Sequence, residues 1–342
     1  MTTQATTSPA PRRVRPRRRP SLGIIVGIAV LAALALAPLT GSRHSLGIWT
    51  VALIFAGVSS GWAIAGGLSG LIPLGHAAFF GIGGYASAVV FAKYDLSPWL
   101  GIVVGMVIAA ALAWLMTVLA VRFKVRGPYF ALYTLAWAEM LRILASNLDY
   151  LGKTNGVLVP YKVDAGPADL QFSDPRGFYL VAVGYAALAM IVFLLVKRSP
   201  LGWRLSAIRG DEPTAAASGV DVARSLTRTM ALSAAMTAIG GGLYAQYIQY
   251  IDPELAFNVS VSIDIAVRAI LGGAVLVLGP LLGSVAMTSV TELTQKYMDA
   301  LPSASLLVLG LAIIALAHWF PTGIGGLGVR LKRIWSRRSD RV

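Results

Sequence analysis

The chain has 342 residues, 56% of them hydrophobic and only 13% charged, against about a quarter charged in a soluble domain. That composition excludes an ordinary soluble globular protein, and the lack of cysteine excludes disulfides, thiolate metal sites and thiol nucleophiles. The net charge of +14 raises nucleic acid as a partner, a reading that its placement along the chain removes.

Residues 1–21 form a basic, proline-rich tail carrying Arg12, Arg13, Arg15, Arg17, Arg18 and Arg19, and are predicted to be disordered. Apolar runs then predict ten membrane spans at 22–39, 46–65, 72–93, 98–121, 129–146, 177–196, 229–249, 262–277, 280–296 and 304–320. The first follows its basic tail as in a signal peptide, but it exceeds the usual apolar region and reads as an uncleaved span. With the N-terminus inside, an even number of spans puts both termini inside. The inside segments then hold 21 of the 29 Lys and Arg residues, and the outside loops hold Arg43, Lys153, Lys162 and Arg176. This is the positive-inside distribution, so the charge is topogenic. Anionic lipid headgroups are a sufficient partner for it and nucleic acid is not required.

The third span opens in a glycine-rich stretch, Gly66 to Tyr85, and the eighth runs into another, Gly272 to Gly283. Irregular backbone at membrane depth survives only where protein or a water-filled cavity covers it. The two spans run in opposite directions at matching places in the blocks formed by spans 2–5 and 7–10. Broken helices in inverted halves point toward a solute pathway. The other reading is close packing, since Gly57–Gly61, Gly66–Gly70, Gly101–Gly105 and Gly279–Gly283 have GxxxG spacing. The two readings are compatible.

The largest outside loop is 147–176. The largest internal inside segment, 197–228, divides the chain into five spans and five. Its Ser199–Gly219 stretch predicts a short helix outside the bilayer. Asp211 or Glu212 caps the start, Pro213 fits the first turn, Ala215 to Ala217 propagate it and Gly219 ends it. Two turns of helix are marginal alone in water, so this one leans on its own bundle or on a soluble partner.

Three acids fall toward the outer ends of spans, each followed by a base on the same helix face: Glu139 with Arg142, Asp264 with Arg268, and Glu292 with Lys296. They read as neutralised pairs reaching the interface, or as an outward-opening polar vestibule for a zwitterion or a docking protein. No unpaired acid lies mid-span, which argues against a proton-coupled carrier. His76 lies inside the third span, in the glycine-rich stretch, and reads as a packed, hydrogen-bonded residue. The sequence has no HExxH and no GxSxG. Gly152-Lys153-Thr154 lacks the earlier glycine of a phosphate loop, and Asn258-Val-Ser260 is a weak glycosylation sequon. A pore protein that takes energy from a partner fits this inventory.

Several segments in order resemble the LivM type of permease from branched-chain amino acid ABC importers, over about residues 46–327. They are Gly67 to Tyr85, Arg126-Gly-Pro-Tyr-Phe-Ala-Leu-Tyr-Thr-Leu-Ala-Trp-Ala-Glu139, Lys153-Thr-Asn-Gly156, Ser199 to Gly219, Gly272-Gly273, Gly279-Pro-Leu-Leu-Gly283 and Pro321-Thr-Gly323. Leu71 and Pro73 stand where many members carry Gln and Ser, and Trp203 where a second Arg is common. The resemblance implies an all-α, type II importer-like permease with inverted halves, spanning 22–327 between basic cytoplasmic tails at 1–21 and 328–342. It implies a bacterial cytoplasmic membrane, a second LivH-like permease, two ABC ATPase subunits and an extracytoplasmic solute-binding protein. The chain holds no cofactor of its own; ATP and Mg belong to the ATPase. On this model the segment 197–228 docks on the ATPase through Arg204, Arg209, Asp211, Glu212, Ser218 and Gly219. The candidate pathway residues are Ser69, His76, Tyr85, Tyr129, Thr134 and Glu139. The rival readings are the same architecture carrying urea or a short amide, an ion-coupled secondary carrier, and an integral membrane enzyme.

Overall fold

The computed structural model describes residues 42–162, 166–298, 310 and 323–325. The predicted spans 22–39 and 304–320 and the two basic tails lie outside the described residues. What is described is helical apart from short 3-10 turns and one two-stranded ladder. Five helical stretches are long and apolar enough to cross a membrane.

α1 (Arg43–Ser69) starts at Ser42, whose hydroxyl accepts the Ser45 N–H at 3.2 Å, and ends on Gly70 at φ 81°. It is the most enclosed apolar helix, with 94% of its apolar window buried. An extended segment, 70–75, leads into α2 (His76–Tyr94). α3 (Pro98–Arg122) returns, and α4 (Pro128–Asn147) follows with proline in its first turn, where no N–H is missed. α5 (Pro175–Arg198) leads to two short helices, α6 (Pro200–Gly210) and α7 (Glu212–Ala217). The second long helix, α8 (Val222–Ile248), precedes α9 (Pro253–Phe257), α10 (Val259–Gly272) and α11 (Gly279–Met298).

α1 and α8 pack on each other and organise the bundle. α2 and α3 lie against α8, while α5, α10 and α11 lie against α1. α2 also packs on α3, and α10 on α11. α4 stands at the edge, touching α2 and α9. On the opposite side from α6 and α7, β1 (Val157–Leu158) pairs antiparallel with β2 (Tyr250–Ile251), Val157 facing Ile251. That ladder ties the loop after α4 to the end of α8.

α8 begins seven residues earlier than its hydropathy predicts, because Asp221 caps it through the Arg224 N–H at 2.9 Å. Its hydroxyl residues are enclosed, while Arg224 and Arg228 are exposed. Ser225, Thr229 and Thr237 are buried, and each hydroxyl bonds a carbonyl four residues back. The predicted spans 72–93 and 262–277 are each shorter as helix. Residues 70–75 and 273–278 lie outside the regular elements.

Glycine decides how near α2 and α8 come. A Cβ on Gly83 would lie 1.9 Å from the Ala238 carbonyl oxygen, and one on Gly241 would lie 2.0 Å from that of Phe80. The two backbones are therefore in contact. Gly101 and Gly105 do serve packing, of α3 on α2, whereas Gly66 rests on the ring of Trp62 of its own helix. Gly83→Leu is expected to lower the melting temperature in detergent sharply, at a cost of about 1–3 kcal/mol or more. Gly184→Ala, whose added Cβ would meet no neighbouring element within 4 Å among the described residues, should be neutral or stabilising by up to ~1 kcal/mol. Equal melting temperatures for the two variants would remove the close-contact argument.

Candidate functional site: two glycine breaks, a cytoplasmic elbow and outer ion pairs

Segment 70–75 folds back along α1. The Trp62 indole Nε1 donates to the Pro73 carbonyl at 2.8 Å, although Trp62 lies about 10 Å up the helix from Ser69 at 1.5 Å per residue. The Ser69 hydroxyl donates to the Ala65 carbonyl at 2.5 Å and accepts the Leu71 N–H at 3.3 Å. The Thr134 hydroxyl accepts the Leu74 N–H at 3.0 Å and donates to the Ala131 carbonyl at 2.9 Å. Ser262 of α10 accepts the Ala77 N–H at 2.8 Å. Each bond satisfies a backbone group that lipid could not, so α2 starts inside the bundle rather than at its rim.

His76, fully buried, sits at that start. The Ser233 hydroxyl gives its one proton to the Gly61 carbonyl at 2.7 Å and so accepts from His76 Nε2 at 2.8 Å. His76 Nδ1 has no hydrogen-bond partner among the described residues. Ser69, His76 and Thr134 are thus brought together around the first break. Tyr85 lies further along α2, stacked on Phe257 with ring centroids 5.8 Å apart. It lines an apolar groove of about 370 Å³ with Ile82, Leu141 and Leu144. Tyr129 is 73% exposed at the start of α4, and Glu139 lies higher on the same helix.

The second break follows α10. Lys197, at the end of α5, donates to the Val275 carbonyl at 2.6 Å. Ile324 and Gly325 return to the end of α10 through N–H bonds to Leu271 and Gly272, at 2.9 and 3.1 Å.

Segment 197–228 is an elbow of two helices, one more than the sequence suggested. Ser199 caps α6, which buries Gly202, Leu205 and Ile208 on one face. Asp211 caps α7 through the Thr214 N–H at 2.9 Å, and Gly219 follows at φ 84°. Bonds from the Thr214 hydroxyl and amide hold the Asp211 carboxyl below the usual carboxylate range. Of the six residues assigned to docking, two bond the rest of the bundle, Arg209 while remaining exposed and Glu212 half-buried. Arg209 Nη1 donates to the Gly67 carbonyl at 2.9 Å, and Glu212 pairs with Arg126 at 3.0 Å. Arg204, Asp211, Ser218 and Gly219 are exposed, beside Trp203 at 75% exposure.

The ion pairs Glu139–Arg142 and Asp264–Arg268 are more connected than i+3 and i+4 spacing indicates. Arg142 bonds Glu139 at 2.6 Å and also Glu254 of α9 at 3.0 Å. Arg268 bonds Asp264 at 2.8 Å, then Thr288 at 3.0 Å and Ser284 at 3.2 Å on α11, with Phe55 under its guanidinium at 4.8 Å. Only 8% exposed, Arg268 does not reach for the interface. Glu292 is half-buried and Lys296 exposed on α11. Sequence reasoning missed Arg126, Lys197, Ser233 and Ser262. Their partners are far away along the chain, and no local pattern marks them.

Arg268→Met leaves Asp264 without its counter-ion and is expected to cost about 3–5 kcal/mol, read as a fall in melting temperature in detergent. Adding Asp264→Asn should recover much of the loss, and no recovery would show that the pair acts through packing alone. For α7, the folded Asp211 carboxyl is depressed, so the cap is complete above the ordinary carboxylate pKa and is lost as pH falls through the depressed value. Amide exchange at Ala215 and Ala216 should quicken in Asp211→Ala and not in Asp211→Asn. Unchanged exchange in both variants would deny the cap its role.

The comparisons with known proteins agree with this architecture. The chain matches the family described as "Branched-chain amino acid transport system / permease component" over residues 45–317. It is 28% identical to the high-affinity branched-chain amino acid transport system permease protein LivM of Escherichia coli, over 87% of this chain and 74% of that one. LivH of the same organism is 24% identical over 81% of this chain and 92% of its own length. The probable LivM of Methanocaldococcus jannaschii is 26% identical over 77% and 81%. No solved structure matches the chain. A helical bundle with apolar membrane-length helices, matched over most of its length, places this protein in the family of branched-chain amino acid transport permeases, and it is a polytopic membrane protein.

Proposed function

We propose that the chain is the permease subunit of an ABC importer that moves branched-chain or similar amino acids into the cytoplasm. The observation that carries this reading is its relatedness to LivM across 87% of its length. The relatives favour an amino acid over urea or an amide, and an ATP-driven system over an ion-coupled carrier. The permease hydrolyses nothing itself. ATP and Mg are held by two ATPase subunits, a second LivH-like permease completes the pore, and an extracytoplasmic binding protein delivers the solute.

In this reading the permease domain covers 22–327, with ten spans in two inverted halves and basic tails at 1–21 and 328–342 on the cytoplasmic side of the inner membrane. Support for the halves comes from the packing. α1 and α8 are each 27 residues long, and each receives the two membrane helices that follow the other: α2 and α3 on α8, α10 and α11 on α1. Support for the orientation comes from the basic segments, which fall on one side.

The elbow at 197–228 is the docking surface for the ATPase. Arg204, Asp211, Ser218 and Gly219 face it, while Arg209 and Glu212 pass its movement to the bundle. The outer pairs Glu139–Arg142, Asp264–Arg268 and Glu292–Lys296 border the entrance, where both charge signs suit a zwitterion. Ser69, His76, Tyr85, Tyr129, Thr134 and Glu139 are the pathway residues within this reading.

Purification of the tagged chain from its native membranes in mild detergent is expected to bring a second permease and P-loop ATPases with it. Uptake of branched-chain amino acids should be abolished by vanadate and indifferent to an ionophore. The opposite sensitivity, with the chain recovered alone, would assign it to the ion-coupled carriers.

A further inference from the structure

The two glycine breaks are separate in sequence and adjacent in space. A Cβ on Gly67, at the end of α1, would lie 2.0 Å from the Ala274 carbonyl oxygen, so the backbones entering the first break and forming the second are in contact. The first break ends on α10 through Ala77 and Ser262, and the second begins where α10 stops. Each break is also held from the cytoplasmic side by one cation. Lys197 precedes α6 and bonds the Val275 carbonyl at 2.6 Å. Arg209 lies near the end of α6 and bonds the Gly67 carbonyl at 2.9 Å. Its aliphatic stem packs on Gly70, where a Cβ would lie 2.9 Å from Arg209 Cγ. The carbonyl reached by Arg209 belongs to the last turn of α1, where such groups lack helical partners and attract cations. α6 therefore lies between two bonds, one from Lys197 at the end of α5 to the second break and one from its own Arg209 to the turn of α1 that leads into the first.

We propose that Lys197 and Arg209 are positioning residues that bind α6 to both irregular segments, so that 70–75 and 273–278 move as one body when α6 moves. Neither cation contacts solute, and neither serves to hold the ATPase. Each reaches a backbone carbonyl rather than a side chain: Lys197 acts on the main chain of 273–278 itself, and Arg209 on the last turn of α1, from which 70–75 continues, with its stem against Gly70. Its role in transport rests on the importer reading above; its mechanical part does not.

Two measurements separate these. In the reconstituted complex, Arg209→Met and Lys197→Met should leave assembly and ATP hydrolysis within twofold of the parent and cut solute moved per ATP at least tenfold. Arg209→Lys, which keeps a donor and a charge, should recover part of that ratio. An unchanged ratio overturns the proposal. So does loss of the ATPase from the complex, which would make Arg209 a docking contact.

The chain has no cysteine, so spin labels can be placed singly by design. Labels at Ser206→Cys with Ile72→Cys, and at Ser206→Cys with Leu276→Cys, should give narrow distance distributions in the otherwise unaltered chain. Arg209→Met should broaden the first pair and Lys197→Met the second. Unaltered widths would overturn the linkage whatever the protein transports. Intact linkage in a chain that shows no ATP-dependent uptake would instead count against the importer reading.

Discussion

Backbone contact between α2 and α8, through Gly83 against Ala238 and Gly241 against Phe80, is the constraint from which the rest of the bundle follows. In lipid there is no hydrophobic force between helices, so association depends on close packing and on interhelical hydrogen bonds. Small residues at this crossing let α2 reach a depth at which His76 meets Ser233, and Ser233 meets Gly61 of α1. That meeting sets how far segment 70–75 must climb along α1. The length of the climb in turn leaves Pro73, Leu74 and Ala77 with backbone groups that Trp62, Thr134 and Ser262 satisfy.

These polar bonds set register more than they set stability. Interhelical hydrogen bonds in membranes average about 0.6 kcal/mol and reach about 1.7, so the few around the first break add up to only a few kcal/mol. Leaving one of the same groups unpaired in lipid would cost several. The asymmetry explains why the backbone groups of Pro73, Leu74 and Ala77 are met by the neutral side chains of Trp62, Thr134 and Ser262. Arg268 is the exception. It exchanges water for one carboxylate, two hydroxyls and an aromatic face, and Ser284 passes the link on to the Ala52 carbonyl of α1. A charge this enclosed is kept only where its partners are complete.

Much of this was legible in the sequence. Apolar run length found α1 to α5, and turn chemistry found Asp211 and Gly219 at the ends of α7. α6 was hidden because Ser199–Gly219 was read as one short helix starting at Asp211 or Glu212, with nothing assigned to 200–210. Its buried face (Gly202, Leu205 and Ile208, three residues apart) was the signal that would have revealed it. The early start of α8 was masked because Arg224 and Arg228 lower the hydropathy of its first two turns, where Ser225 and Thr227 are enclosed and bond back to their own helix. The ends of α2 and α10 were misjudged because residues 70–75 and 273–278 are themselves apolar, and hydropathy does not distinguish apolar helix from apolar extended chain. The tertiary partners were beyond reach in kind. Arg209 and Gly67 are 142 residues apart, and Ser233 and Gly61 are 172 apart; no period or motif relates them.

α10 joins the parts that a transport cycle would have to coordinate. Its fourteen residues span about 21 Å. Ser262 near one end holds the start of α2, Asp264 and Arg268 form the enclosed pair, and Gly272 at the other end opens into the break reached by Lys197. No proline interrupts it, and bundles of packed helices move by shifting or tilting whole elements more readily than by bending them. A displacement at the Gly272 end of α10 therefore cannot be confined there. It must alter the Ser262 bond that fixes α2, the contacts of Arg268 with α11, or both. One unbroken helix carrying the second break and the enclosed ion pair makes their positions interdependent. Through that helix, the bond from Lys197 to the second break also constrains the Asp264–Arg268 pair.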